Sequence, residues 1–239
     1  MNNKHDLIVI GSGAAGMMAA IVAARNNKKV LLLEKLSNIA SKLKATGGGR
    51  CNLTNTLSNE EFMARFGRDG RFMQDALGAF DSKALVNFFS EIGVETHAPD
   101  GFRIFPTSHS SSTIISALQE EMQKLGIDLK TSQKVEKILV ENGEITGVKT
   151  ENDSFYAPNV IVATGGLGYP TLGAEGDGYT MASELGHKVT ELHAAMMPLK
   201  TKERWVANCR ADTNAKVELR VDLPKHKKLR ATGDLIFTN

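Results

Sequence analysis

Two glycine-rich stretches and one acid between them are the residues of this chain whose types and spacing could do chemistry. Gly11-Ser12-Gly13-Ala14-Ala15-Gly16 is a GxGxxG pattern that follows the apolar run Asp6-Leu-Ile-Val-Ile10 and opens the alanine-rich run Ala14–Arg25. In that context the glycines serve different ends. Gly11 turns the chain out of a strand, Gly13 lets a pyrophosphate approach the backbone, and Gly16 lets a helix pack close on a sheet. The free N–H groups and positive dipole end of the helix, with Ala14 and Ala15 in its first turn, then face the phosphates. Glu34 closes the next apolar run, Lys29-Val-Leu-Leu-Leu-Glu34, about twenty residues after the fingerprint, where a carboxylate accepts hydrogen bonds from ribose hydroxyls and repels a 2′-phosphate. The first site therefore takes an adenine dinucleotide other than NADP.

The second stretch is Thr46-Gly47-Gly48-Gly49-Arg50-Cys51-Asn52. Adjacent glycines are costly in regular structure because each loses more backbone entropy than other residues. Either the chain turns there through positive φ, or another molecule touches its backbone. Arg50 supplies a fixed positive charge, and Arg50 and Asn52 are the candidates to hydrogen-bond a redox ring or a substrate oxygen. Cys51 beside that charge is the third candidate, but a lone cysteine lacks the partner that a disulfide-based reductase needs, so it reads first as a small packed residue. His109, in Thr107-Ser108-His109-Ser110, reads first as part of a helix N-terminal cap and, as the alternative, as a proton donor.

The elements that must position these groups follow from the hydrophobic pattern. Strand, glycine turn, helix and strand within about thirty residues make a βαβ unit with a parallel strand pair. Helices are expected over Asn59–Ala79, Ser82–Ile92 and Ser111–Leu125, with a short strand at Arg103–Phe105. Lys134–Val140 and Glu144–Thr150 form a hairpin around Asn142-Gly143. Asn159–Ala163 then returns as a buried strand, the first re-entry into the parallel sheet. A second glycine-rich turn, Thr164–Gly178, leads to a helix at Tyr179–Leu185. Beyond His187 only scattered strands are expected, with Met196 and Met197 in a core, a solvated turn at Lys225–Arg230, and a last strand begun at Ala231 after which nothing follows to pair with it or cap it. The fold class is α/β: a Rossmann-like domain over residues 1–191 with a parallel sheet and a β-hairpin, then the start of a β-rich inserted domain over 192–239.

Composition sets the limits. At 239 residues and 41% hydrophobic the chain builds a full core, and a net charge of +2 gives no electrostatic reason for a nucleic-acid or membrane partner. Two distant cysteines suggest neither a dithiol pair nor a metal site. With no apolar run of membrane-spanning length and no signal-peptide layout, the cytoplasm is the expected compartment. The long polar excursion after the second strand suits FAD better than the uninterrupted βα series of NAD-dependent dehydrogenases.

The stretch Lys42-Leu-Lys-Ala-Thr46 to Asn55, together with Ala163-Thr164-Gly165-Gly166, Tyr169-Pro170 and Phe102–Pro106 ahead of a serine-rich helix start, resembles the YhiN/BaiN-like family of bacterial NAD(P)/FAD-dependent oxidoreductases. The resemblance runs over essentially the whole chain. It implies FAD held by Gly11, Gly13, Gly16, Glu34 with its neighbour Lys35, and the segment from Lys42 through Thr46, Gly47, Gly48, Gly49, Arg50, Cys51 and Asn52. It implies further contacts from the hairpin backbone near Val135, from Ala163, Thr164, Gly165 and Gly166, and from Asp177. NAD(P)H is the implied co-substrate and a small organic molecule the implied substrate; RNA modification and a non-catalytic remnant are the alternatives. Members of that family run on past Asn239, so the chain reads as a fragment or truncated product.

Overall fold

The computed structural model describes residues 5–193, 199–209, 213–225 and 228–237. Two compact units divide the chain, Met1–Val189 and Thr190–Asn239. Met196 and Met197, read as core, lie outside the described residues.

The first unit begins with β1 (Leu7–Ile10), α1 (Ala14–Arg25) and β2 (Val30–Leu33). Both strands are buried along their whole length, as continuous apolar runs require. After β2 come α2 (Ser41–Ala45), a 3-10 turn (Thr46–Gly49), β3 (Thr54–Asn55), α3 (Asn59–Ala64), a second 3-10 segment (Gly67–Met73), α4 (Gln74–Ala79) and α5 (Ser82–Glu91). The single helix expected over Asn59–Ala79 is therefore broken in three. Gly67 takes φ 58°, and Gly70 presses on α3 so closely that a Cβ there would stand 2.0 Å from the Met63 carbonyl oxygen.

Next come β4 (Thr96–His97), β5 (Arg103–Pro106), α6 (Ser111–Lys124), β6 (Asp128–Lys130), β7 (Val135–Glu141), β8 (Glu144–Thr150), β9 (Ser154–Tyr156), β10 (Val160–Val162) and α7 (Asp177–Glu184). The principal sheet is parallel throughout, in the order β10-β1-β2-β6. Two expectations need correction. The sheet is re-entered at β6, before Val160: Asp128-Leu129-Lys130 forms an edge strand, and an edge needs no continuous apolar run. β10 is likewise an edge and not a buried strand, with Ile161 38% and Val162 41% exposed. The hairpin β7–β8 turns through left-handed Asn142 and Gly143 (φ 52° and 83°), the geometry that Asn-Gly favours.

Period-two alternation sorts the two central strands into separate cores. Leu7, Val9, Val30 and Leu32 pack with Met17, Ile21, Ile114, Leu118 and Met122 of α1 and α6. Ile8, Ile10, Leu31 and Leu33 pack with Val135, Ile138, Val148 and Met181 of the hairpin and α7. The result is helices, parallel sheet and antiparallel hairpin in three layers. At the start of α6 the cap is Ser110, whose side chain accepts from the Ser112 N–H; His109 stands just outside in a left-handed conformation (φ 51°), so the capping role read for it belongs to its neighbour.

The second unit holds a 3-10 turn (Arg204–Cys209) and an antiparallel pair, β11 (Thr213–Arg220) and β12 (Arg230–Ile236). The last strand therefore has a partner, which precedes it in the chain.

Candidate functional site

At the C-terminal ends of β1, β2 and β10, where ligands of open parallel sheets bind, lies a cleft of about 360 Å³. Gly11, Gly13, Ala14, Ala15, Glu34, Lys35, Lys42, Thr46, Val135, Ala163, Thr164, Gly165 and Asp177 line it, drawing together the fingerprint, the acid, the α2 segment, the hairpin and the second glycine turn.

Each fingerprint glycine is bare for a different local reason. Gly11 has φ 100°, and a Cβ there would stand 2.6 Å from the Ala163 carbonyl oxygen, so only glycine fits the turn out of β1 beside the end of β10. At Gly16 a Cβ would be 1.8 Å from the Gly11 carbonyl oxygen, which fixes how closely α1 rides on the sheet. Gly13 has an ordinary φ of −73°, and a Cβ would meet no protein atom within 4 Å. Neither backbone strain nor crowding by the protein calls for glycine there, and its open side belongs to the cleft. It is also the N-cap of α1, without a side-chain cap and with no acid in the first turn. The positive end of a twelve-residue helix thus reaches the cleft wall with no side-chain cap and no acid in its own first turn.

Glu34 is 9% exposed. Its Oε2 accepts from the Ser12 N–H at 2.9 Å and from Ser12 Oγ at 2.6 Å, and its Oε1 accepts from the Leu36 N–H at 2.9 Å. A carboxylate has about four acceptor positions, so Oε1 keeps one lone pair for a ribose hydroxyl. Ser12, fully buried, orients Glu34 through both bonds, a role the residue pattern does not announce because any residue type satisfies that place in GxGxxG. Lys35 Nζ pairs with Asp177 Oδ2 at 2.6 Å and Glu175 Oε2 at 2.7 Å. Burial works against the Lys35 charge, but the hydrogen bonds to Asp177 and Glu175 outweigh it and hold the ammonium above its ordinary value.

The backbone of the triple-glycine segment explains its composition. Gly47, Gly48 and Gly49 all have positive φ (60°, 65° and 88°), so the turn itself requires them. Beyond Thr46 the segment leaves the cleft wall: Gly47, Gly48, Gly49, Arg50, Cys51 and Asn52 are not among the lining residues, and neither are Gly16 and Gly166. Arg50 Nε donates to the Gly47 carbonyl at 3.1 Å, and its guanidinium lies 5.6 Å from the centre of the Phe105 ring. Asn52 is exposed. Cys51 is fully buried, and burial pushes its thiol up to about 11, which makes it a packed residue and a poor nucleophile. Ser111 Oγ donates to the Lys44 carbonyl at 3.0 Å and anchors the end of α2 to the start of α6. Gly166 lies against Tyr179, whose hydroxyl oxygen would be 3.3 Å from a Cβ there.

Among the described residues no group of His, Cys, Asp and Glu could hold a metal ion, and no helix is long and apolar enough to cross a membrane. The family described as the HI0933-like protein Rossmann domain matches residues 5–233. The 3-dehydro-bile acid delta(4,6)-reductase of Clostridium scindens is 33% identical over 213 residues, 87% of this chain and 51% of that protein. The ribosomal RNA dihydrouridine synthase of Haemophilus influenzae is 28% identical over 207 residues, 85% of this chain and 51% of that protein. The chain thus spans about half the length of the curated relatives it matches. Among solved structures, the 3-ketosteroid-delta4-(5alpha)-dehydrogenase from Rhodococcus jostii RHA1 aligns with a TM-score of 0.58 at 21% identity, covering 78% of this chain and 55% of that one. That likeness concerns the fold.

Proposed function

The chain belongs to the HI0933-like Rossmann family, and on that premise we propose that it holds FAD in the cleft and serves an oxidoreductase that saturates a polarised carbon–carbon double bond, or runs the reverse, with NAD(P)H as co-substrate. The observation that carries this reading is the α1 N-terminus: a helix end with no side-chain cap and no acid in its first turn, opening through bare Gly13 into a cleft that also contains Glu34. That donor set fits a pyrophosphate beside Gly13, Ala14 and Ala15 and an adenosine ribose at Glu34. Bound FAD supplies hydride acceptance and donation; the protein supplies position, electrostatics and exclusion of water. Thr46 and Gly165, with Gly166 and the Gly47–Asn52 turn next to them in the chain, are the residues that would hold the flavin end of the cofactor. There Arg50 and Asn52 remain the candidates to meet a ring or substrate oxygen.

The names of two relatives support the reaction class. A delta(4,6)-reductase of a 3-dehydro-bile acid saturates double bonds conjugated to a ketone, and dihydrouridine is uridine saturated beside a carbonyl. We read residues 1–191 as the FAD-binding part and 192–239 as the start of an inserted β-rich domain, in a bacterial cytoplasmic enzyme with a small-molecule substrate. A second reading, action on uridine in RNA, is favoured by the similarity to the ribosomal RNA dihydrouridine synthase, while the net charge of +2 offers little for phosphate backbones.

Anaerobic addition of NADH or NADPH to the purified flavin-loaded protein, followed by a 3-keto-4-ene steroid or a uridine-containing oligonucleotide, tests both. Bleaching of the visible flavin band and its return with the steroid supports the first reading. Return with the oligonucleotide alone supports the second, and a band that neither nicotinamide bleaches contradicts the NAD(P)H assignment.

A further inference from the structure

One ion-pair cluster has no place in holding the phosphates or the ribose. Lys35, just after β2, reaches across to Glu175 and Asp177 at the start of α7, with Asp177 142 positions away in sequence. The side chains of Lys35 and Asp177 are only 16% and 21% exposed, against 53% for Glu175. The backbones close in at the same place. Gly173 is left-handed (φ 90°), and a Cβ there would stand 3.1 Å from Leu36 Cδ1 and 3.5 Å from Lys35 Cε. The far side of this turn is tied as well, since the Gly178 N–H donates to Thr164 Oγ1 at 3.1 Å. Lys35, Leu36, Gly173, Ala174 and Asp177 all line the cleft, so the ion pairs join two of its walls directly.

We propose that Lys35 is a positioning residue that clasps the β2 wall to the 173–177 turn beside Glu34, and that this clasp sets how slowly a bound adenine dinucleotide leaves. The proposal rests on the FAD reading of the cleft. Charge-assisted bonds of this length are about twice as strong as neutral ones, and a little-exposed ammonium is screened weakly by salt. The Asp177 arm, more enclosed and shorter, carries more of the effect than the Glu175 arm. Lys35 acts on the neighbouring wall rather than on reacting atoms, so its effect is on cofactor retention.

The test is the rate of FAD release, followed as the rise in free-flavin fluorescence after dilution of the loaded protein. Lys35→Met should release FAD about tenfold faster than the parent, the loss expected for one such charged contact. Asp177→Asn should follow closely, Glu175→Gln should show a smaller effect, and Lys35→Arg should recover part of the retention. Because the Lys35–Asp177 pair is little exposed and weakly screened, the difference in release rate between the parent and Lys35→Met should persist when KCl is raised to about 1 M. If Lys35→Met does not fold, the Asp177→Asn and Glu175→Gln pair carries the same comparison. FAD held equally long by the parent and the variants overturns the clasp and leaves the FAD reading standing. A folded parent that never holds FAD overturns both.

Discussion

Replacing Gly13 with alanine separates the cofactor from the fold. The residue has φ −73°, which alanine adopts freely, and the added methyl meets no protein atom within 4 Å. Reduced entropy of the unfolded chain stabilises such a change by about 0.4–1 kcal/mol. Loss of glycine at an N-cap costs roughly 0.5–1 kcal/mol, since alanine is among the poorest residues there. The two offset, so the melting temperature should stay within about 4 °C of the parent for a chain of this size. The methyl does occupy the cleft at the end of α1, where phosphate oxygens would meet the N–H groups. Losing one charge-assisted hydrogen bond of about 1.5–3 kcal/mol weakens binding roughly ten- to hundredfold. Thermal melting followed by far-UV circular dichroism, beside an FAD titration read by fluorescence quenching, measures both. A variant that binds FAD within about twofold of the parent would refute the placement of the pyrophosphate at Gly13. A melting temperature lowered by more than about 10 °C would refute the claim that the site is free of protein contacts.

Gly16→Ala is the opposite case: a Cβ 1.8 Å from the Gly11 carbonyl oxygen meets backbone that cannot step aside, so the loss should exceed the roughly 1–3 kcal/mol of ordinary overpacking. Urea denaturation, or failure to obtain folded protein, checks it. Cys51, its thiol pushed up to about 11 by burial, should resist iodoacetamide at pH 8 until the protein is unfolded. Because the folded state raises this group, its contribution is complete below the unfolded thiol's range and is lost as pH rises towards about 11; alkaline melts of the parent and Cys51→Ala should differ in that window. Asp100 accepts from Arg103 Nε at 2.6 Å and from the Phe102 and Arg103 N–H groups, which hold its carboxyl down to about 2. A carboxylate NMR titration should find it there, and Arg103→Ala should return it towards 3.8.

What could be read from the residues alone divides along physical lines. β1 and β2 are buried on both faces, so their apolar runs announced them, and that the fingerprint glycines and Glu34 meet at one cleft was legible because the βαβ unit brings the turn after its first strand beside the end of its second. β6 was not legible, since a three-residue edge strand with one apolar side chain gives no pattern. β10 was legible as a strand but not as an edge, because Val-Ile-Val looks the same whether or not another element covers it. The positive φ of the Gly47–Gly49 turn was one of two alternatives that the residues left open, and only the backbone settles it. Ser12 holding Glu34 and Lys35 meeting Asp177 are tertiary pairs, invisible to any local rule. The pairing of β12 with β11 escaped for the same reason, as their antiparallel register links residues across a long loop.

That this cleft holds FAD is tested most directly by identifying what the purified protein carries. The visible spectrum is recorded before and after heat release, the released species is identified by mass spectrometry, and FAD is added back to any protein that emerges empty. A flavin spectrum with FAD in the released fraction, or uptake of FAD on addition, is the expected result. A folded protein that stays colourless in the presence of added FAD would contradict it.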